Sequence, residues 1–326
     1  MPRTKRSRRG SLAYVPKKRA KRIYPHINRW PNIDIAKIIG FSGYKAGMTQ
    51  VLAVDTRKNS PTKGDQISIP VTVLDCPPIK ILAVRFYTST HNGSKVLTEI
   101  WDENTKKDKY LMRKLKPMGH PVSKFEEVEK NGDKISDVSI VVRAQPNVSG
   151  VGKKTPEVFE LGVGGNSVKD KINFVRGVFG KELKINEVFK EGEYIDVSSV
   201  TKGFGTQGVV KRWGVKIQIR KAAKRRRHIG TLGPQTPRRV RWTIPQAGQL
   251  GFFTRTEFNK RVVKIGDKLN EINPASGFTN YGVVKGNYLL LEGSIPGPKK
   301  RLIMMRHALR PPKTPLLISE IKEIKK

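Results

Sequence analysis

The sequence predicts a mainly β protein: a closed antiparallel β-barrel carrying an α+β insertion, with a long, non-globular, basic N-terminal arm and central loop. Three observations predict it. Short β-branched runs recur between Gly, Pro and Asn punctuation from residue 38 onward. A 60-residue stretch, Val197–Thr256, interrupts them with 14 Lys/Arg and no Asp or Glu. The segment Met1–Ile33 carries 11 Lys/Arg, again without an acid, and sustains neither helical nor strand periodicity.

In chain order, Met1–Ile39 reads as an extended arm with the cluster Lys17-Lys18-Arg19-Ala20-Lys21-Arg22 and the aromatics Tyr14, Tyr24 and Trp30. Thr49–Asp55, Ile67–Asp75 and Lys80–Tyr87 read as strands. Asn92-Gly93 is a hairpin signal leading into a strand over Val96–Trp101. The charged segment Asp102–Leu115 is expected to be helical. Ile135–Ala144 and Glu157–Val163 are further strands, and Ser167 caps a short helix running to Val178. Tyr194–Val200 and Val209–Arg212 are expected strands. After the basic tract come Arg261–Ile265, Gly282–Lys285, Tyr288–Glu292 and Leu302–Met305. The Pro- and Gly-containing tract Thr201–Thr256 suits a long excursion, not a packed domain. These readings divide the chain into a basic extension (1–39), a discontinuous β-barrel body (40–91, 191–210 and 257–326), an α+β insertion (92–190) and a basic loop (211–256).

The charge is segregated. Of a formal net charge of +38, 31 units lie in Met1–Ile33, Val197–Thr256 and Gly293–Ser319. The rest of the chain carries only +7. An acid-free tract with 14 cations repels itself, and a polyanion removes that cost. Nucleic acid has the matching charge density. With so little apolar content, arm and loop are expected to lack order until such a partner binds.

Other chemistries lack their parts. Gly203-Phe-Gly-Thr-Gln-Gly208 matches G-x-G-x-x-G, but the reading of Val209–Arg212 as strand, and the absence of any acid before Glu257, argue against a dinucleotide site. The five histidines show no zinc spacing, and the lone Cys76 follows an apolar run and reads as a small buried hydrophobe. No G-x-S-x-G elbow is present. Asn92 and Asn147 fit the glycosylation pattern, but nothing routes the chain to secretion. The longest apolar runs, Tyr288–Leu291 and Leu316–Ile318, are too short for a membrane span. The reading is therefore of a non-enzyme, without cofactor, metal or small-molecule substrate.

Lys211–Trp242 is the richest stretch: it holds 12 Lys/Arg, with Trp213 near its start and Trp242 at its end. Arg planes stack on bases and fork onto phosphates. Gly230, Gly233, Pro234 and Pro237 permit close backbone approach and oppose regular structure. No helix-turn-helix pattern and no heptads accompany the basic region, which favours folded RNA over duplex DNA. Two alternative readings are an RNA-modifying enzyme with basic extensions, for which the sequence lacks a catalytic constellation, and a DNA compactor, for which it lacks a repeat or an amphipathic basic helix.

At these residues the chain resembles the universal large-subunit ribosomal protein L3 family in its archaeal and eukaryotic form. Gly43-Tyr-Lys-Ala-Gly-Met-Thr49 resembles the family's opening motif, and Ser68–Val73 the strand after it. Phe189, Asp196, Ser199, Thr201, Gly203, Gly205, Gly208 and Arg212 resemble its signature, Gly233–Pro237 with Ala247-Gly248-Gln249 its loop tip, and Leu289–Leu291 with Gly293–Gly297 its last hairpin. One departure is Phe204, where the family usually has a basic residue; here it is expected to pack or to stack on a base. The resemblance implies a barrel of the translation-protein type on the subunit surface, with arm and loop reaching through large-subunit rRNA. It further implies a role in early subunit assembly, neighbouring ribosomal proteins as partners, a cytoplasmic location in the large subunit, and the tip Gly233, Pro234, Gln235, Thr236 and Pro237 near the peptidyl transferase centre.

The candidate rRNA-binding residues are Arg3, Lys5, Arg6, Arg8, Arg9, Lys17, Lys18, Arg19, Lys21 and Arg22 in the arm, then Lys45 and Lys202. In the loop they are Lys211, Arg212, Trp213, Lys216, Arg220, Lys221, Lys224, Arg225, Arg226, Arg227, His228, Arg238, Arg239, Arg241, Trp242 and Arg255, followed by Lys299, Lys300 and Arg301.

Overall fold

The structure, a computed structural model, describes residues 9–57, 59–115, 125–130, 132–312 and 321–325. Arg3, Lys5, Arg6 and Arg8 and the run Leu316–Ile318 lie outside these. The chain is mainly β. It divides into one unit of residues 1–22 and 200–255 and another of residues 23–199 and 256–326.

The larger unit is built on long β-branched strands. In chain order they are β1 (Gly40–Val54), β2 (Gln66–Cys76), β3 (Ile79–Thr90), β4 (Gly93–Trp101), β5 (Asp137–Arg143), β6 (Val158–Gly162), β7 (Glu182–Leu183) and β8 (Tyr194–Val200). β9 (Gly203–Gln207) and β10 (Gly248–Gly251) belong to the other unit, and β11 (Thr254–Gly266), β12 (Asn287–Glu292), β13 (Leu302–His307) and β14 (Ile321–Ile324) complete the set. One sheet has the order β13-β8-β11-β12-β2-β1-β14, and β13 also pairs with β1. Six strands therefore pair in a ring.

β1 makes the return possible. Its first half pairs with β13, from Gly40 opposite Arg306 to Tyr44 opposite Leu302, and its second half with β2. The register shifts between Lys45 and Gly47, a bulge that bends the strand and increases its twist. At Gly47 even a Cβ would meet the Phe278 ring at 2.6 Å. Phe41, Tyr44, Leu74 and Tyr288 are fully buried in the core of this unit. Each contributes roughly 1.5–3 kcal/mol relative to exposure.

The insertion forms a second sheet, β4-β3-β5-β6, with β7 paired to β3. The β3–β4 hairpin closes with Thr90 opposite Gly93, at the predicted turn. Helix α1 (Phe125–Lys130) precedes β5. Helix α2 (Val168–Val178) starts where expected: the Ser167 side chain accepts from the Asp170 N–H at 3.1 Å. Short helices α3 (Ile185–Val188), α4 (Val209–Trp213) and α5 (Leu269–Ile272) complete the elements.

Two buried carboxylates stitch the larger unit. Asp75 accepts from Tyr281 Oη (2.8 Å) and from the N–H groups of Gly150 and Gly286 (both 3.1 Å), tying the insertion to β2 and to the turn before β12. Burial raises its pKa, and these hydrogen bonds, with a further one from the Lys285 N–H, oppose the rise. Asp196 takes Nε and Nη2 of Arg306 at 3.2 Å and the N–H groups of Asn259 and Leu309.

Four expectations are corrected. Asp102–Leu115 is not one helix but two 3-10 turns, Glu103–Lys107 and Leu111–Arg113. The Asp108 carboxylate accepts from Tyr110 N and Leu111 N and restarts the chain there, while its other oxygen holds Arg143. Val209–Arg212 is helical, not a strand, because Gly214 closes the turn in the left-handed region (φ 67°) and Trp213 is buried. Gly282–Lys285 is no strand: Asn273 takes the Val284 N–H and carbonyl, and Asp75 takes the next N–H groups. Finally, the arm does not stay unpacked to Ile39. Ile27 is core, Tyr24 Oη donates to the Val158 carbonyl at 2.7 Å, and the Trp30 ring sits where a Cβ on Gly40 or Gly162 would collide with it.

Candidate nucleic-acid interface

The smaller unit gathers two of the acid-free tracts. It carries ten Lys/Arg in 1–22 and fourteen in 200–255, with no Asp or Glu in either segment. The expected structureless excursion is here a compact unit of largely irregular backbone. The glycine motif is itself a strand: β9 pairs with β10, Gln207 opposite Gly248 and Gly205 opposite Leu250. At Gly251 (φ +69°) a Cβ would lie 2.0 Å from the Lys202 carbonyl oxygen, so this crossing requires glycine. The helix that follows does not revive the dinucleotide reading, since α4 has five residues and no acid follows before Glu257.

Trp213 organises this unit. Its Nε1 donates to the Gln246 carbonyl at 2.8 Å. The Lys17 ammonium stands 3.8 Å from the ring centre, and the backbone at Gly10 lies so close that a Cβ would meet the ring at 2.5 Å. Neighbouring Arg212 donates from Nε to the Gln249 carbonyl (3.0 Å) and from Nη1 to the Gln246 carbonyl (2.7 Å). The arm is held further by Ala20 N donating to the Phe252 carbonyl (2.9 Å) and by Arg255 over the Tyr14 ring (4.8 Å). Phe204 is 45% exposed, lies against Gly251 and has Lys211 Nζ 4.8 Å from its ring centre.

Burial lowers the Lys17 pKa, and the charges of Arg212 and Arg255 lower it further. Burial also lowers that of Arg212. These cations are crowded together with no carboxylate in their unit.

The other candidates in this unit are exposed: Arg9, Lys18, Arg19, Lys21, Arg22, Lys202, Lys211, Lys216, Arg220, Lys221, Lys224–His228, Arg238, Arg239, Arg241 and Trp242. A 3-10 turn over Arg220–Arg225 and the Gln218 N–H to Arg226 carbonyl bond (2.8 Å) present the Arg-rich run. Every residue from Thr231 to Val240, tip included, is exposed. Lys45, Lys299, Lys300 and Arg301 belong to the larger unit. There the half-buried Lys45 ammonium donates to the carbonyls of Ile295 (2.7 Å) and Gly297 (3.2 Å), and Lys299 donates to the Thr279 carbonyl (2.7 Å). Lys45 thus clamps the turn after β12, a role its charge alone does not signal.

Sequence reasoning missed Gly10 and Gln246, and singled out Gln249 only as part of a motif, with no role for its carbonyl. The last two act through main-chain carbonyls and the first through a missing side chain, so no residue-type pattern announces them. Among the described residues, no group of three or more His, Cys, Asp or Glu is placed to hold a metal. No helix among them is long and apolar enough to cross a membrane.

The comparisons agree with the chemistry. Residues 1–324 match the family model described as ribosomal protein L3. The chain is 50% identical to large ribosomal subunit protein uL3 of Archaeoglobus fulgidus, over 94% of this chain and 93% of the relative. It is 47% identical to uL3 of Methanopyrus kandleri (94% and 86%) and 44% identical to uL3 of Methanocaldococcus jannaschii (97% and 95%). With one family model spanning almost its whole length and close relatives matched nearly end to end, the chain belongs to the ribosomal protein L3 family.

Proposed function

We propose that the chain is a structural component of the large ribosomal subunit, in the cytoplasm, which binds large-subunit rRNA and has no reaction of its own. The carrying observation is the acid-free unit of residues 1–22 and 200–255: its twenty-odd cations have no internal counter-charge, so a polyanion completes it. Neighbouring ribosomal proteins are its further partners. In this reading the protein supports early subunit assembly, and the exposed tip Gly233–Pro237 lies near the peptidyl transferase centre. The six-strand ring is read as the closed barrel of the body, with 1–39, 92–190 and 211–256 as extension, insertion and loop. The arm and loop candidates named above are the rRNA contacts.

The test is binding of the full chain to large-subunit rRNA across a salt series. If a third of the cations in the acid-free unit meet phosphates, about eight ions are released and the log–log slope lies near −6. A slope shallower than about −3 contradicts the reading, as does loss of the protein from large subunits at a salt concentration that leaves the other proteins in place.

A further inference from the structure

We propose that the hollow beside Trp30, Glu193 and Tyr194 binds an alkylammonium group, the chemistry shared by a lysine side chain of a partner protein and a free polyamine. None of its residues belongs to the acid-free unit of residues 1–22 and 200–255. The hollow lies wholly within the larger unit, with a volume of about 660 Å³, inside the range of roughly 300–1,000 Å³ usual for small-ligand sites. Its walls are the Trp30–Ile33 segment, the start of β8 at Glu193 and Tyr194, and the chain leaving β13 at His307–Leu309 and Pro311.

The charge of these walls runs against the rest of the molecule. The chain carries 65 Lys/Arg against 27 Asp/Glu, yet the described residues that line the hollow include no Lys or Arg and one carboxylate, Glu193. The Glu193 Oε2 accepts from the Lys190 N–H at 3.2 Å and lies 3.6 Å from His307 Nδ1. Its Oε1 has no hydrogen-bond partner among the described residues. His307 does not supply the missing positive charge. Burial, and then the Lys37 charge, push its pKa down to about 4, so at neutral pH the ring is uncharged. Lys37 is the cation whose charge reaches this ring, and no ion pair joins it to Glu193.

Aromatic surface completes the site. Trp30 and Tyr194 are half-buried and His307 is buried. Rings of this kind attract an ammonium group through their quadrupoles. The walls are fixed before any ligand arrives. The Trp30 ring packs so closely on the backbone that a Cβ on Gly162 would lie 2.5 Å from it and one on Gly40 2.7 Å from it. The Glu193 carbonyl accepts from the Val262 N–H at 2.8 Å, and the Tyr194 carbonyl from the Ala308 N–H at 3.2 Å. A site already in place loses little freedom on binding. A phosphate would meet Glu193 with no cation in the walls to offset it. An uncharged apolar group would leave that carboxylate without a counter-charge. An alkylammonium uses both halves: its methylenes lie on Pro31 and Leu309, and its charge meets the carboxylate and the rings.

The experiment titrates the full chain, at one ionic strength, with spermidine, with Nα-acetyl-lysine methylamide, and with the same lysine compound acetylated at Nε. The last keeps the alkyl chain and loses the charge. The lysine compound is expected to bind at least about 5-fold more tightly than its acetylated form. Glu193→Gln keeps an oxygen for the Lys190 N–H and weakens both amines about 5- to 30-fold, while leaving the acetylated compound unchanged. Tyr194→Leu weakens the amines about 2- to 30-fold. Lys37→Met removes the opposing cation and strengthens amine binding. A preference for spermidine assigns the site to a polyamine, and a preference for the lysine compound assigns it to a lysine of a partner chain. Equal binding of the lysine compound and its acetylated form, or amine affinity unchanged in Glu193→Gln, overturns the site. The rRNA affinity of Glu193→Gln is expected to stay at the wild-type level, so either outcome leaves the rRNA-binding function standing.

Discussion

Lys17 holds its ammonium 3.8 Å above the centre of the Trp213 ring while donating to the carbonyl of Arg212, so one lysine from residues 1–22 meets the loop on the other side of almost two hundred residues of chain. The contact helps two tracts that should repel each other to form one unit: the aromatic quadrupole offsets part of the repulsion that Lys17 meets from Arg212 and Arg255. Such an interaction contributes about 0.5–2 kcal/mol, and removal of a buried tryptophan costs about 3–5 kcal/mol. Trp213→Ala is therefore expected to expose Lys211–Arg241 to limited proteolysis many times faster than in the wild type, with Lys17→Met giving a smaller acceleration. Identical cleavage rates in all three proteins would show that Trp213 does not organise the loop.

His307 supplies a pH test in the larger unit. Burial, followed by the nearby Lys37 charge, pushes its pKa down to about 4; its ring lies 4.9 Å from that of Phe189. The unfolded chain takes up this proton near pH 6.5 and the folded chain only near pH 4. The stability associated with neutral His307 is complete above about pH 6.5 and is lost as the pH falls toward 4, by at most about 3 kcal/mol. His307→Phe should flatten the denaturation midpoint across that window. A variant whose midpoint falls as steeply as that of the wild type would remove His307 as the cause.

Phe204 lies against Gly251 and carries Lys211 over its ring, a packing role in place of a phosphate contact. Phe204→Lys adds a cation beside Lys211, and the salt slope of rRNA binding should stay the same or steepen. A markedly shallower slope would mean that the aromatic ring organises the charged contacts around it.

The tip is exposed throughout, and its Arg238, Arg239 and Arg241 are a small part of the unit's charge. Pro234 and Pro237 restrict the backbone around Gln235, whose amide both donates and accepts. Gln235→Ala, or deletion of Gly233–Pro237, is expected to permit incorporation into large subunits while slowing peptide transfer. Full transfer activity in subunits that contain the deletion protein would refute this; failure to incorporate would make the tip an assembly anchor.

Much of the fold was legible because strand patterning is local. β-branched runs marked β2 and β8 and an apolar run marked β12, each to within a residue or so, and the Ser167 cap marked α2. Two of the misread segments are those where a side chain captures backbone hydrogen bonds. Asp75 and Asn273 do so over Gly282–Gly286, and Asp108 does so between the two 3-10 turns. The candidate interface was legible as charge, because acid-free tracts need no partner to be seen.

The sequence by itself determined that this protein is mainly β and that its surplus charge is confined to three acid-free tracts, the pattern from which a polyanion partner was read. These follow from local propensity and from counting charges. Only the tertiary structure decided that residues 1–22 and 200–255 form one unit, that Trp213 is buried while Trp242 stands open, and that Lys45 clamps a turn. The reason is physical. A tryptophan in a basic tract has the same composition whether it faces a lysine, a glycine backbone or water, and only the path of the returning chain, fixed here by the Gln246 and Gln249 carbonyls, chooses among them.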